Sequence, residues 1–156
     1  MCLLYGTDDV EEALRLDAFY RDQFPKELIP GVLPFLAQLR TQEVVLGVVT
    51  ATTRHNLEND LTSLGFPAET FSYSQTSDDT PYHKPDPRVF APTRVWLDRQ
   101  GILPTEVLYV GDGLHDMAAA RGASFRFIGV ETGLVSATQF AEAGSWSVPS
   151  ILELLR

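Results

Sequence analysis

The stretch EVLYVGDGLHDMAAARGASFRFIGV, residues 106–130, predicts a strand, a glycine-rich turn, a helix and a second strand in direct succession. The first strand is an apolar run that ends at Gly111, the helix covers the segment HDMAAARG, and the second strand is FRFIGV. Strands that alternate with helices through short connections are typical of a doubly wound α/β sheet. This stretch therefore places the chain in the α/β class.

The same alternation extends toward the N-terminus. The continuous apolar run VVLGVVT, residues 44–50, predicts a strand that is buried on both faces, as in parallel sheets. We expect a helix over residues 54–64, a short strand near 71–74 and a helix over about 88–100. The whole pattern predicts a Rossmann-like, mostly parallel sheet with flanking helices, in which ligands bind beyond the carboxyl ends of the strands.

Two helices precede the first of these strands. Residues 9–23 have the apolar spacing of an amphipathic helix, and Thr7 is a plausible N-cap for it. The apolar stripe of this helix would contain Val10, Leu14, Phe19 and Phe24. A second helix is expected to run from Val32 through Leu39.

Composition limits the possible partners. The 156 residues suit one domain, and 44% hydrophobic with 21% charged residues is ordinary for a globular protein. A formal charge of −9 argues against nucleic acid as a partner, although one local pocket can still attract a small anion. No apolar stretch is long enough for a membrane helix, and the single Cys2 fits a reducing cytoplasm.

Polar residues gather where the predicted strands end. Thr50 closes the run 44–50, Asp112 follows Gly111, and Asp116 comes four residues later, about one helical turn on. Lys84 lies in a loop that Pro85 stiffens. Because these positions share one edge of a parallel sheet, we expect one hydroxyl, one ammonium and two carboxylates to converge there.

These side chains suit a phosphoryl group bound together with Mg²⁺. A hard cation takes carboxylate and phosphate oxygens, which Asp112 and Asp116 would share with a substrate. Lys84 supplies a compact positive charge for a phosphate oxygen. Thr50, Ala51 and the N–H groups at the start of the next helix would supply further contacts to the phosphate.

Four segments, in order, resemble the signatures of the haloacid dehalogenase superfamily. They are IPGV at 29–32, VVLGVVTATTR at 44–54, HKPDP at 83–87 and VLYVGDGLHDMAAARGASFRFIGVETG at 107–133. The branch they resemble most has a helical cap and includes phosphoglycolate phosphatases and β-phosphoglucomutase-like proteins. On this resemblance, residues 1–27 would be a remnant of the cap and residues 28–156 the α/β core.

The resemblance implies a role for each matching position. Thr50 would bind the transferring phosphoryl group with Ala51, and Lys84 would steady the negative charge on nucleophile and substrate. Asp112 would bind Mg²⁺, and Asp116 would orient metal-bound water or Lys84 as the other acidic residue of the metal site. The implied activity is hydrolysis of a small phosphorylated metabolite.

The family's first motif, a strand ending in Asp-x-Asp-Gly-Thr, does not occur in this sequence. The nearest string, CLLYGTDD at 2–9, has its carboxylates after the Gly-Thr, which favours a helix cap. We therefore expect a truncated chain or a fragment, nearly inactive alone, whose sheet lacks its central strand. Residues 2–5, self-association or a separate N-terminal segment would fill that gap. The alternative is a pseudo-enzyme that binds a phosphorylated ligand or a protein partner without turnover.

Overall fold

The computed structural model describes residues 9–155. Its α-helices are α1 (Val10–Gln23), α2 (Val32–Thr41), α3 (Arg54–Ser63), α4 (Ala91–Gln100), α5 (Leu114–Gly122) and α6 (Ala137–Glu142). Its strands are β1 (Gly47–Val49), β2 (Tyr73–Gln75), β3 (Leu108–Gly111), β4 (Arg126–Val130) and β5 (Ser147–Val148). Short 3₁₀ turns lie at Ser77–Asp79, Pro87–Phe90, Pro104–Glu106 and Ile151–Leu155. No helix in this described part of the chain has the length and apolar character needed to cross a membrane.

All strand pairs in residues 9–155 are parallel. β1 pairs with β2, with Val48 opposite Ser74, and β3 pairs with β4, with Val110 opposite Ile128. β5 extends the second group by pairing with β4. With helices between successive strands, this arrangement confirms the predicted α/β, Rossmann-like class.

The strands form two separate groups, β1–β2 and β3–β4–β5, and no backbone pairing joins β1 to β3 within the described residues. The contact that bridges them is made by a side chain, since the Tyr109 hydroxyl lies 3.4 Å from the carbonyl oxygen of Val49. β1 and β3 therefore each have one edge that no described strand covers. The segment 2–5, one of the candidates expected to fill this position, lies outside the described residues.

The prediction of a strand over 44–50, buried on both faces, is wrong in its extent and burial. Val44 and Val45 are 43% and 53% exposed, and β1 begins only at Gly47. Glu43 has a φ of 60°, and the Val44 N–H donates to the Leu39 carbonyl, so these residues close the end of α2. On the uncovered edge of β1, Val44 and Val45 have no neighbouring strand in the described chain.

The N-terminal helix matches the prediction except at its cap. α1 begins at Val10, and the N-cap is Asp9, whose carboxylate accepts the backbone N–H of Glu11 at 2.9 Å. The predicted cap, Thr7, lies outside the described residues. Asp9 takes this position because a carboxylate both satisfies the N–H groups of the first turn and opposes the positive end of the helix dipole.

The main apolar core lies between β3, β4, α4, α5 and the turn before α4. Its central side chain is Phe90, which is fully buried and packs edge-on against Tyr109 and Phe125, each at 5.0 Å between ring centroids. The other buried members of this cluster are Val89, Leu97, Ala119, Ala120 and Ala123. The core therefore supports β3 directly, and with it the residues that follow that strand.

One aromatic contact and one exposed ring mark the boundaries of this core. Trp96 of α4 packs on Tyr73 of β2, with ring centroids 4.9 Å apart, and so connects the first strand group to the helix layer. Trp146, just before β5, is 86% exposed. Neither α6 nor β5 was among the elements predicted from the sequence, because a helix of six residues and a strand of two are too short to show a periodic pattern.

Candidate functional site

The structure brings Lys84, Asp116 and Tyr109 into direct contact. The Lys84 ammonium donates to Asp116 Oδ1 at 2.7 Å and to the Tyr109 hydroxyl at 2.6 Å. The Lys84 side chain is only 13% exposed and that of Asp116 only 6%. A buried charge pair needs both partners, since an unpaired ion in this environment would be costly. The predicted convergence of Lys84 and Asp116 is therefore present in the structure.

Two glycines make room for Asp116 at the end of β3. A Cβ atom at Gly111 would lie 2.6 Å from Asp116 Cβ, and one at Gly113 would lie 2.3 Å from a ring carbon of His115 and 3.2 Å from Asp116 Oδ2. The Gly113 N–H also donates to that second oxygen at 3.1 Å. The strand-end turn thus needs glycine because the side chains of Asp116 and His115 pack against its backbone.

The pKa values of Lys84 and Tyr109 are both raised. Burial alone would lower the pKa of Lys84, but the attraction and hydrogen bonds of Tyr109 and Asp116 outweigh it. For Tyr109 the direction of the burial effect is reversed: burial is the main cause of its raised pKa, and the Lys84 charge opposes it. Lys84 is therefore a cation and Tyr109 a neutral hydroxyl at neutral pH.

Thr50 and Ala51 follow β1 directly. Thr50 is half-buried, its N–H donates to the Gln75 carbonyl at 2.9 Å, and its hydroxyl oxygen accepts the Thr52 N–H at 3.2 Å. The hydroxyl hydrogen of Thr50 is therefore left to donate to a ligand. Ala51 is exposed, and its backbone N–H makes no hydrogen bond within residues 9–155.

The N-terminus of α3 offers less than the sequence suggested. The Arg54 N–H donates to Asp78 at 2.8 Å, and the Asn56 N–H donates to the N-cap hydroxyl of Thr53 at 3.3 Å. The Arg54 guanidinium is also engaged, donating to Asp79 at 2.7 Å. The expectation that this helix start supplies open N–H donors is therefore wrong for these two groups, because side chains already cap them.

Asp112 differs from Asp116 in its surroundings. Asp112 is exposed, and its carboxylate has no hydrogen-bond partner in the described chain. The backbone of Gly133 passes close by, since a Cβ there would lie 2.5 Å from Asp112 Oδ2. The turn therefore places this carboxylate at the surface, where its charge stays solvated.

The carboxylates provide only a small set of metal ligands. No group of three or more His, Cys, Asp or Glu side chains in residues 9–155 is arranged to hold a metal ion. Both oxygens of Asp116 are bonded within the protein, which leaves Asp112 as the open carboxylate. One or two carboxylates are enough for Mg²⁺ when a phosphate supplies further oxygens, so the donor set fits that ion.

Tyr109 is the site residue that the sequence analysis missed. It lies inside the apolar run that predicts β3, where a tyrosine is most simply a packing residue. The sequence does offer one signal for it, because Tyr109 lies two residues before Gly111. A polar group near the carboxyl end of a parallel strand lies close to the edge where ligands bind.

The family model for haloacid dehalogenase-like hydrolases matches residues 8–130. The chain therefore belongs to the haloacid dehalogenase-like hydrolase family, as the four sequence segments predicted.

Relatives of this chain include several phosphatases. A phosphoglycolate phosphatase from Yersinia pseudotuberculosis is 36% identical over 107 residues, which are 69% of this chain and 44% of that protein. The pyrophosphatase PpaX from Bacillus velezensis is 36% identical over 95 residues, which are 61% of this chain and 42% of that protein. The chain thus spans less than half the length of either relative.

Solved structures agree on the fold. A haloacid dehalogenase-like hydrolase structure from Bacteroides fragilis superposes with a TM-score of 0.77 at 27% identity, covering 97% of this chain and 73% of that chain. A predicted phosphoglycolate phosphatase from Haemophilus somnus superposes with a TM-score of 0.77 at 26% identity, covering 91% of this chain and 63% of that chain.

Proposed function

We propose that this chain carries the phosphate- and Mg²⁺-binding part of a phosphatase that acts on a small phosphorylated metabolite. The observation that carries the proposal is the buried Lys84–Asp116 ion pair at the carboxyl end of β3, with 2.7 Å between Lys84 Nζ and Asp116 Oδ1. Asp116 holds the ammonium in place and charged, so that Lys84 presents a fixed positive charge to an anion. Relatives named as phosphoglycolate phosphatases support this substrate class.

We assign the remaining residues as follows. The Thr50 hydroxyl and the Ala51 N–H would donate to phosphoryl oxygens beside the Lys84 ammonium. Asp112 would hold Mg²⁺, which when bound neutralises charge on the phosphoryl group. Asp116 orients Lys84, and to bind the metal as well it would have to share an oxygen that is already hydrogen-bonded.

The nucleophile of the family reaction is an Asp on a strand between the strands that correspond to β1 and β3. In that reaction the carboxylate attacks phosphorus as the alcohol leaves, and water then releases phosphate from the aspartyl-phosphate. The uncovered edges of β1 and β3 suit a parallel strand at that position. We therefore propose that the chain alone is nearly inactive and that a complementing segment supplies the strand with its nucleophile, whereas association with another copy, which lacks the motif, would only cover the open edges.

We also propose that the segment through residue 27 belongs to a substrate-facing cap. α1 carries exposed Phe19 and Tyr20, and exposed Phe24 directly follows it; the three rings pack on one another in sequence, with ring centroids 5.9 and 6.0 Å apart. Aromatic side chains on an outer helix are suited to close over a bound metabolite. A cytoplasmic location remains an expectation that rests on the lone cysteine.

Calorimetry with inorganic phosphate tests the binding proposal. The 156-residue protein should bind phosphate in the presence of Mg²⁺, and Lys84→Met should weaken that binding by about tenfold or more, because a charge-assisted hydrogen bond is lost. Lys26→Met is the matched control, since Lys26 forms an ion pair with Asp60 on the surface, and should bind as the wild type does. Absence of phosphate binding by the wild type would contradict the proposed function.

Turnover separates the incomplete enzyme from the second candidate, a pseudo-enzyme that only binds. The pure chain should not hydrolyse p-nitrophenyl phosphate. A synthetic apolar strand peptide ending in Asp-x-Asp-Gly-Thr should restore Mg²⁺-dependent hydrolysis if the chain is an incomplete phosphatase. Phosphate binding without restored turnover would favour the pseudo-enzyme, and rapid hydrolysis by the chain alone would refute the proposed inactivity.

A further inference from the structure

The Tyr109 hydroxyl lies between the two strand groups at the functional site. It accepts a hydrogen bond from the Lys84 ammonium at 2.6 Å and donates one to the Val49 carbonyl at 3.4 Å. Val49 is the last residue of β1 and directly precedes Thr50. One side chain thus connects the end of β1, the Lys84 loop and strand β3.

The ring of Tyr109 is held by the apolar core. It packs edge-on against Phe90 at 5.0 Å and stacks with Phe127 at 6.5 Å between centroids. The Lys84 ammonium lies 5.2 Å from the centre of the same ring. These contacts fix the position of the hydroxyl, because the ring cannot turn away without opening the core.

The donors and acceptors at this point can be counted. An ammonium has three N–H bonds, of which Asp116 and Tyr109 take two in this structure. The two acceptors lie on different residues, so together they fix the direction of the third N–H bond. With only Asp116 as a partner, the ammonium could rotate about that single hydrogen bond.

We propose that Tyr109 is a positioning residue that aims the third N–H bond of Lys84 at the bound phosphoryl group. In the chain alone the hydroxyl also reaches the carbonyl of Val49, next to Thr50, across the gap that the complementing strand would fill. This inference rests on the proposed function. A purely structural role would need the ring, which phenylalanine also supplies, but not the hydroxyl.

The first experiment measures Lys84 itself and needs no ligand. In NMR spectra of the whole chain, the buried Lys84 ammonium should give a protected signal, assigned by its loss in Lys84→Met. In Tyr109→Phe, exchange of these protons with water should be about tenfold faster, because one of two hydrogen bonds is missing. Tyr73→Phe is the matched control, as it removes a β2 hydroxyl that donates to Gln75 at 3.3 Å. Equal exchange rates in Tyr109→Phe and wild type would overturn the inference.

The second experiment measures binding of inorganic phosphate with Mg²⁺ by calorimetry. Tyr109→Phe should bind about five- to tenfold more weakly than wild type, while its thermal midpoint stays close to that of Tyr73→Phe. Unchanged phosphate affinity in Tyr109→Phe would count against a positioning role. If the wild type bound no phosphate, the proposed function would fail, and the ammonium exchange rates would still decide whether Tyr109 fixes Lys84.

Discussion

The strand group β3–β4–β5 lies against a continuous apolar cluster, whereas the group β1–β2 is held largely by buried polar contacts. Around β3 the packing comes from Phe90, Phe125 and small alanines of α5. Around β2 the fully buried side chains are Gln75 and Thr76, and Gln75 bonds to Val89 and Thr93. The proposed site takes Asp116 and Tyr109 from the packed group, β3–β4–β5, and Thr50 from the polar group, β1–β2. The rigid part of the site should therefore be Lys84–Asp116–Tyr109, and the more easily displaced part should be Thr50.

The largest expected effect is the loss of a core ring. Phe90→Ala should lower the free energy of unfolding by about 4 kcal/mol, because it leaves a cavity beneath Tyr109. Leu57→Ala, at a buried position of α3, should cost about 2 kcal/mol, since Leu57 lies outside the apolar cluster around Phe90. Urea unfolding followed by circular dichroism measures both. Equal costs would show that the two strand groups do not differ in packing.

The buried ion pair should come next. Asp116→Asn should lower the free energy of unfolding by about 2–3 kcal/mol, because the buried Lys84 ammonium loses its counter-charge. Urea unfolding at pH 7 measures the loss. A double variant with Lys84→Met should recover part of it, since both charges are then removed. No recovery would mean that Asp116 stabilises the turn through Gly113 rather than through Lys84.

A smaller, pH-dependent effect is expected in the polar group. Burial would raise the pKa of Asp79, but hydrogen bonds from Thr76 and the Arg54 charge outweigh it, and the pKa is lowered. A carboxylate with a lowered folded-state pKa stabilises the fold at pH values above its unfolded pKa of about 4. This stabilisation is lost as the pH falls through the folded-state pKa. Asp79→Asn should therefore cost at most about 1 kcal/mol at pH 7, and wild type and variant should converge below about pH 3. Thermal midpoints across this pH range provide the measurement. A gap that persists at low pH would point to lost hydrogen bonds instead of lost charge.

The smallest effect on stability is expected at the exposed carboxylate. Asp112→Asn should change the free energy of unfolding by less than about 0.5 kcal/mol, since Asp112 has no partner in the described chain. The same variant should weaken Mg²⁺-dependent phosphate binding, measured by calorimetry. A large loss of stability would show that Asp112 supports the turn with Gly133.

Sequence patterns predicted the packed group better than the polar one. The segment around β3, α5 and β4 has a strong apolar pattern and short connections, and its elements lie within about two residues of their predicted bounds. The valine run at 44–50 has an equally strong pattern, yet only Gly47–Val49 form a strand. A run of apolar residues does not say which neighbour covers it, and here the far edge of β1 is uncovered in the described chain.

The site was predictable in the same unequal way. Lys84 and Asp116 were expected to meet because both lie at the carboxyl edge of the sheet, and they do so at 2.7 Å. Tyr109 was not found, because its hydroxyl reaches Lys84 and Val49, which are 25 and 60 residues distant in the chain. Such contacts depend on the packing of the ring and leave no local pattern. The capping of α3 by Asp78 escaped prediction for the same reason.

The two tryptophans of the chain provide optical reporters for these two regions. Trp146 is 86% exposed, so its emission should already resemble that of an unfolded chain. Trp96 is half-buried and lies against Tyr73, so unfolding of the β2–α4 contact should shift its emission to longer wavelength. A Trp146→Phe variant would thus turn intrinsic fluorescence into a single-site signal for the polar strand group, while circular dichroism follows the helices of the whole chain. Differences between the two unfolding curves would reveal whether the groups separate before the chain unfolds.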